Sequence, residues 1–332
     1  MNDKFEPLVS VLTPVYNGET FIEYCILSAI NQTYRNFEYI IVDNCSQDDT
    51  YHIIQEYQKR DSRIKIFRNE ETCSVIKNHR IALQKISPKS KYCKFVHSDD
   101  YIYPECIEKM VDIAEKNPSV GMVSSYTILG NEVRCTGIPV NKTIVPGHEI
   151  CRAAFLGEYN VFGSPTVPLF RTDYIVNNKS FLDEENVSAD IEVCFEILVN
   201  SDLGFVHQVL SVLGLHKKSV TETIIKRYGT SVVAFLSIFK RYGRIYFNEK
   251  EYKDMMREKT IDYYKFLAKN IYKFRNNEFR KIHGRGLKKI GLKFKLHYLM
   301  IGYVLVGFDI LMNLQYYLNR TKYYWKLLNN SK

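Results

Sequence analysis

The chain has 332 residues, 45% of them hydrophobic and 25% charged, which excludes a disordered chain and allows one large domain or two smaller ones. Its net charge of +9 hides an asymmetry: residues 222–332 carry 24 Lys/Arg against 8 Asp/Glu, net +16, and residues 1–221 carry 22 against 29, net −7. That division predicts two functional parts, the second facing something anionic.

Leu8–Pro14 is short, apolar and β-branched, a buried strand stopped by proline. Val15–Gly18 follows as a loop, and the spacing of Phe21, Ile22, Cys25, Ile26, Ala29 and Ile30 predicts a helix over Glu19–Gln32. Phe37–Val42 reads as a second strand that runs straight into Asp43, with a helix over Thr50–Arg60 after it. Ile64–Phe67 is a third strand, Val75–Ile86 a third helix, and Tyr92–Val96 a fourth strand ending at His97-Ser98-Asp99-Asp100. Strands alternating with helices predict βαβ units and an α/β, doubly wound, mostly parallel sheet. Beyond Pro104 a helix runs to about Lys116, and Val120–Tyr126 is a further strand. Residues 127–147, rich in Gly, Pro, Asn and Thr, read as loops with short strands. Apolar positions 191, 194, 195, 198 and 199 share one helical face, which puts Asp190 in that helix's first turn. Val209–Leu215 is the last strand of this part.

Two strand ends thus carry carboxylates, Asp43 and the Asp99–Asp100 pair, and in such a sheet strand ends open onto the ligand crevice. Paired hard oxygens there suit Mg²⁺ or Mn²⁺, which would in turn hold a diphosphate. No Gly-x-Gly-x-x-Gly turn follows the first strand and no Walker-type loop occurs. Taken alone, Ser98-Asp99-Asp100 also reads as a cap before the helix at Pro104, and Asp190 as a helix cap. The eight cysteines form no Cys-x-x-Cys pair, and Met1–Pro7 holds no apolar core of a leader's length, so a cytoplasmic setting is expected.

These motifs, in this order, resemble the family-2 glycosyltransferases of GT-A fold over about Leu8–Thr221. The resemblance implies a nucleotide-sugar-binding half over 1–104 and an acceptor half over 105–221. It makes Pro14, Tyr16 and Asn17 the base-binding loop, gives Asp43 a hydrogen bond from the base, and sets Asn78, Ser98 and Asp99 in the donor pocket. It implies Mg²⁺ or Mn²⁺ held by Asp99, Asp100 and His216, and Asp190 as catalytic base, with Glu192 the nearby alternative. His97 stands where many members carry the first aspartate of Asp-x-Asp-Asp, and Leu213-Gly214 where a Tyr-Arg usually precedes the closing histidine. Tyr159–Thr166 lies where the family binds its acceptor and reads equally as a surface turn. The implied activity is inverting transfer from a nucleotide-diphosphate sugar, with UDP favoured, to a glycan or lipid-linked glycan, as in bacterial cell-surface glycan synthesis. A sugar-nucleotide sensor without turnover is the rival reading for this part.

Residues 222–332 form a basic, aromatic-rich helical extension. Leu296–Phe308 is thirteen residues without Asp, Glu, Lys or Arg, too short to span a bilayer. Lys288, Lys289, Lys293 and Lys295 precede it; Arg320, Lys322, Trp325 and Lys326 follow. The pattern suits a helix in the interface of an anionic membrane, at the inner face of the cell membrane, and equally a helix packed on the rest of the protein. Nucleic acid would answer to the basic charge but not to the carboxylates, and is not the expected partner.

Overall fold

β1 (Val9–Val15) and β2 (Phe37–Asp43) are buried along their whole lengths, as strands covered on both faces must be, and this is why they read as continuous apolar runs. The computed structural model describes residues 6–313 except 160, 177–187, 217, 218 and 220. The chain divides into two compact units, Met1–Thr223 and Ile224–Lys332.

In the first unit β1 is followed by α1 (Ile22–Ile30), β2 by α2 (Thr50–Arg60) and β3 (Ile64–Arg68) by α3 (Val75–Gln84). β4 (Tyr92–Phe95), the two-residue β5 (Tyr101–Ile102) and α4 (Cys106–Lys116) come next. Then follow β6 (Val120–Leu129), β7 (Glu132–Arg134), β8 (Ile144–Val145), α5 (Gly147–Leu156), β9 (Leu169–Arg171), α6 (Thr172–Ile175), α7 (Ala189–Leu198) and β10 (Asp202–Leu213). They form one sheet of order β3-β2-β1-β4-β9-β6-β10-β5, with β7 on β6 and β8 on β10. β1–β4 are mutually parallel, and β9 runs against both β4 and β6, so β6 and its parallel neighbour β10 point the same way as β1–β4. The carboxyl ends of β1, β2, β4 and β10 therefore share one edge, as the GT-A-like, mostly parallel architecture requires. One apolar cluster joins the sheet (Val11, Tyr39, Ile41) to α1, α2 and α4 through Ile22, Ile26, Ile54, Ile107 and Met110. Each fully buried large side chain of this kind contributes about 1.5–3 kcal/mol.

Three boundaries differ from the sequence reading. β1 runs through Pro14 to Val15. The Leu12 carbonyl accepts from Val96 on the β4 side and the Val15 carbonyl from Asn44 on the β2 side, so alternation turns the Pro14 nitrogen toward β4, past its last residue Phe95. A missing N–H costs no ladder bond there. α1 begins at Ile22 because residues 19–21 form a turn in which Gly18 accepts from both Phe21 and Ile22. β10 begins at Asp202, not Val209: its first half pairs with β6 from Leu203↔Met122 to Val206↔Ser125, and the register shifts around Val209. Gly204, His207 and Gln208 break the apolar run there, which hides the strand from a periodicity test.

The second unit comprises α8 (Thr230–Tyr246), α9 (Glu249–Lys269), α10 (Asn277–Lys289) and α11 (Leu296–Met312) around Leu236, Tyr263, Phe279 and Leu287. A capping box of Asn248 and Glu251 opens α9. Gly302 lets α11 close on α9, since a Cβ there would stand 2.7 Å from the Tyr264 carbonyl oxygen. Among the described residues no helix is long and apolar enough to cross a membrane.

Candidate active site

The loops after β1 and β2 are latched to one another. Asn17, in the left-handed region at φ 49°, donates its N–H to Ser46 Oγ (2.9 Å) and accepts from the Gln47 N–H (2.9 Å). Gly18 donates to Thr50 Oγ1 at 2.7 Å. Tyr16 projects from this edge with about half its surface exposed, whereas Pro14 is buried within β1 opposite Val42. Asp43, at the end of β2, is fully buried; the Ser46 N–H donates to its carboxylate at 3.2–3.3 Å, and Arg68 Nε stands 3.1 Å from Oδ2. Arg68 is the register partner of Asp43 on β3, bonds the Ser46 carbonyl (3.0 Å) and lies over the Tyr51 ring (4.3 Å). Asn78 is buried too: its oxygen accepts from Asn69 (2.9 Å) and its amide nitrogen donates to the Val42 carbonyl (3.3 Å). It braces the end of β2 from inside.

The end of β4 is built differently. Asp99 keeps about a quarter of its side chain open to solvent, and its Oδ2 lies 2.9 Å from Nε2 of His216, whose ring stacks on Phe21. Ser98 sits partly exposed between them and the β1 loop, its Oγ 3.4 Å from where a Gly18 Cβ would be. Asp100 is buried and accepts from the Gly214 N–H (2.8 Å) and from Thr166 Oγ1 (2.5 Å). Burial pushes its carboxyl up to about 6, with Asp99 adding to the rise and His97 opposing it. Gly214 has no alternative here: a Cβ would fall 2.3 Å from the Asp99 carbonyl oxygen.

His97 links these groups. The Val75 carbonyl can only accept, so His79 Nδ1 donates to it (2.8 Å) and His79 Nε2 is an acceptor. His97 Nε2–H therefore donates to His79 (2.9 Å), which leaves His97 Nδ1 facing Ser164 Oγ (3.4 Å) and Asp100 Oδ2 (3.9 Å). Burial and the neighbouring His97 hold His79 down at about 3, which keeps it neutral in this role. Asp190, part-buried in the first turn of α7, is also pushed up to about 6 by burial, while N–H groups of the turn and the charge of His97 pull it back. Asp100 and Asp190 thus share His97 as an electrostatic neighbour. Asp190 is not the N-cap of α7; Ser188 is. Glu192, one turn on, is buried. Lys217 and Lys218, Asn160 and residues 181–187 lie outside the described residues.

Among the described residues no three His, Cys, Asp or Glu side chains converge on one point. The Asp99–His216 pair nevertheless fits a divalent ion. Two adjacent ligands at about 2.1 Å on an octahedral Mg²⁺ stand about 3 Å apart, and such an ion completes its shell with water and substrate phosphate. The observed 2.9 Å is a hydrogen bond between Nε2 and Oδ2, so an entering ion would take the place of the shared proton. Asp100, with one bond to each oxygen inside the protein, is placed to orient the turn instead.

Residues 10–148 match the family model for glycosyl transferase family 2. That stretch, under half of the chain, is similar to the family. A glycosyltransferase of Haemophilus influenzae, itself uncharacterised, is 32% identical over 188 residues, which are 53% of this chain and 56% of that protein. WfgD of Escherichia coli, a UDP-Glc:alpha-D-GlcNAc-diphosphoundecaprenol beta-1,3-glucosyltransferase, is 33% identical over 124 residues, 37% of this chain and 47% of that protein. The match therefore spans about half the length of these relatives. TarS residues 1–349 from S. aureus, solved with UDP, share the fold at TM-score 0.60 and 18% identity over 89% of this chain and 88% of that one. The mannosyltransferase PcManGT of Pyrobaculum calidifontis, solved with GDP-Man and Mn²⁺, shares it at TM-score 0.53 and 14% identity over 92% and 88%.

Sequence reasoning passed over three residues of this candidate site. Lys94, in mid-β4, is fully buried and its ammonium donates to the carbonyls of Thr166, Val167 (2.7 Å) and Pro168 (3.4 Å). It ties the 164–168 loop, and with it the Thr166 hydroxyl, to the acidic pair; a lysine inside an apolar strand was the available signal. Arg68 and His79 carried no local signal, since their partners come from other strands and loops.

Proposed function

We propose that this enzyme transfers a sugar, with inversion, from a nucleotide-diphosphate donor, UDP-linked, to a hydroxyl of a glycan or lipid-linked glycan. The observation that carries the reading is the end of β4, where Asp99 stands against His216 and Asp100 beside His97; Asp190, in the first turn of α7, is the carboxylate assigned to the acceptor. The UDP held by the similarly folded TarS supports the choice of nucleotide, and the acceptor in the name of WfgD supports the acceptor class.

Tyr16 and Asn17 line the base side, on a loop whose shape Asp43 and Arg68 hold; Asp43, fully buried, supports that loop from behind instead of meeting the base. Asn78 and Ser98 shape the wall behind the donor. Asp99 and His216 hold Mg²⁺ or Mn²⁺, and Asp100 fixes their turn through Gly214. When bound, the divalent ion supplies positive charge to the leaving diphosphate. Asp190 accepts the proton of the acceptor hydroxyl as that oxygen attacks the anomeric carbon, so a single displacement inverts the centre. A carboxyl lifted to about 6 is ionised at neutral pH yet a better base than an ordinary aspartate. Ser164, beside His97, faces the acceptor side, while the buried Thr166 keeps its hydroxyl on Asp100. The basic second unit rests on an anionic membrane surface, at the inner face of the cell membrane, and takes no nucleic acid.

The test is Asp190→Asn, followed as UDP release with Mn²⁺ and a glycan acceptor. Transfer falls by about 10²–10⁴ while the Kd for UDP-sugar stays within about twofold. Transfer at the unchanged rate would remove Asp190 from the role of base.

A further inference from the structure

The second unit contains a cavity of about 280 Å³ that sugar transfer leaves without a task. That is smaller than the roughly 300–1,000 Å³ of sites enclosing drug-sized ligands. Four cations line it, Lys253 and Arg257 from α9 and Lys293 and Lys295 from the segment entering α11, and none of its lining residues is Asp or Glu. Helical spacing explains the sorting on α9: positions 253, 257, 260 and 264 face the cavity, while Glu251, Asp254, Glu258 and Asp262 fall elsewhere on the helix. Tyr264 and Tyr298 stack at 5.5 Å along the wall, and the Tyr264 hydroxyl accepts from the Lys295 N–H at 2.6 Å, which pins the start of α11 to the cavity. Glu249 stands 3.4 Å from Lys253 and offsets part of this charge; the like charges that remain around one space repel, and an entering anion relieves that repulsion.

A separate observation names the kind of anion. On α11, Leu296, Met300, Val304, Phe308 and Leu311 recur at helical spacing and are each 58–71% exposed. The other side of the helix turns Leu299 and Gly302 inward against α9. This apolar strip begins one residue after the cavity-lining Lys295. A strip of that length on a helix too short to cross a bilayer suits the headgroup–acyl boundary of a membrane. Phosphate headgroups lie at that depth. Nucleic acid would use the cations but leave the strip in water.

We infer that the cavity is a headgroup site for an anionic membrane lipid, whose phosphate meets Lys253, Arg257, Lys293 and Lys295 while the strip of α11 enters the acyl boundary. The inference rests on the assignment of the second unit to a membrane surface. Flotation of the full chain with vesicles tests both, using phosphatidylcholine alone and phosphatidylcholine mixed with an equal part of phosphatidylglycerol. The expected result is preferential binding to the mixed vesicles, reduced about tenfold by R257Q/K293Q and little changed by K250Q/K281Q, which removes two exposed lysines outside the cavity. The single K293Q, on the loop before α11, is read in the same way should the double variant melt early. Donor hydrolysis stays unchanged in all three variants. Equal losses from the two pairs, or displacement of the vesicles by inorganic phosphate or by single-stranded DNA, would overturn the headgroup site while leaving or redirecting the surface assignment. No binding to either vesicle would overturn both.

Discussion

At the end of β2, Asp43 is shut away from solvent and held by the Ser46 N–H and the Arg68 guanidinium. At the end of β4, Asp99 stays partly open against His216, and Asp100 is pushed up to about 6 by burial that no fixed cation fully offsets; Asp190, in the first turn of α7, is raised to the same level by burial. The residue type and its place at a strand end are the same in both regions. The partners differ: a permanent cation from the adjacent strand turns a carboxylate into scaffold, whereas a histidine or a bare apolar wall leaves it able to take a proton or an ion. The β2 end of the sheet is therefore rigid by electrostatics, and under the proposed function the chemistry falls to the β4–β10 side.

That contrast is open to attack from both sides. Asp99→Ala strikes hardest. A donor at a hundredfold its Kd stabilises the fold by about 2.7 kcal/mol, and the variant loses the Mn²⁺-dependent part of this in a thermal-shift titration with UDP. Asp43→Ala, next in size, costs about 2 kcal/mol in urea unfolding without metal or donor, the worth of a charged hydrogen bond. An Asp43→Asn protein of normal stability that had lost UDP binding would erase the distinction between the two regions. Gly214→Ala forces a Cβ toward the Asp99 carbonyl. It lowers transfer about tenfold, or about 1.4 kcal/mol, and also lowers the urea midpoint, because the atom in the way is backbone.

The smallest effects are those of pH. kcat rises through about pH 6 as Asp190 ionises, and a profile flat from pH 5 to 8 would contradict the assignment. For stability the sign is opposite. The folded pKa of Asp190 lies above its ordinary 3.8, so its contribution is fully present below that pH and is lost as pH rises through about 6. Asp190→Asn therefore raises Tm at pH 7.5 and leaves it unchanged at pH 4.

Much of this was legible in residue order. The strands at Val9, Phe37, Ile64 and Tyr92 and the helices between them follow from apolar runs and helical spacing, because β1, β2 and β4 are buried on both faces and β3 keeps Ile64, Ile66 and Phe67 at least partly buried. Asp190 in the first turn of α7 follows from the same spacing. β10 was half hidden because its first residues alternate poorly, and Pro14 was misplaced as a stop because the end of β4 decides whether its missing N–H matters. Lys94 was read as part of an apolar strand; its meaning depends on three carbonyls more than seventy residues away.

Sequence alone determined which carboxylates end which strands and that a basic, aromatic segment follows, since both depend on local composition and short-range periodicity. Only the tertiary structure decided that Asp43 is neutralised by Arg68, that Asp99 meets His216, and that four cations of the second unit line one cavity. Those pairings are set by sheet register and helix packing, which join residues far apart in the chain, and the energy of a charge depends on what stands within a few ångströms of it.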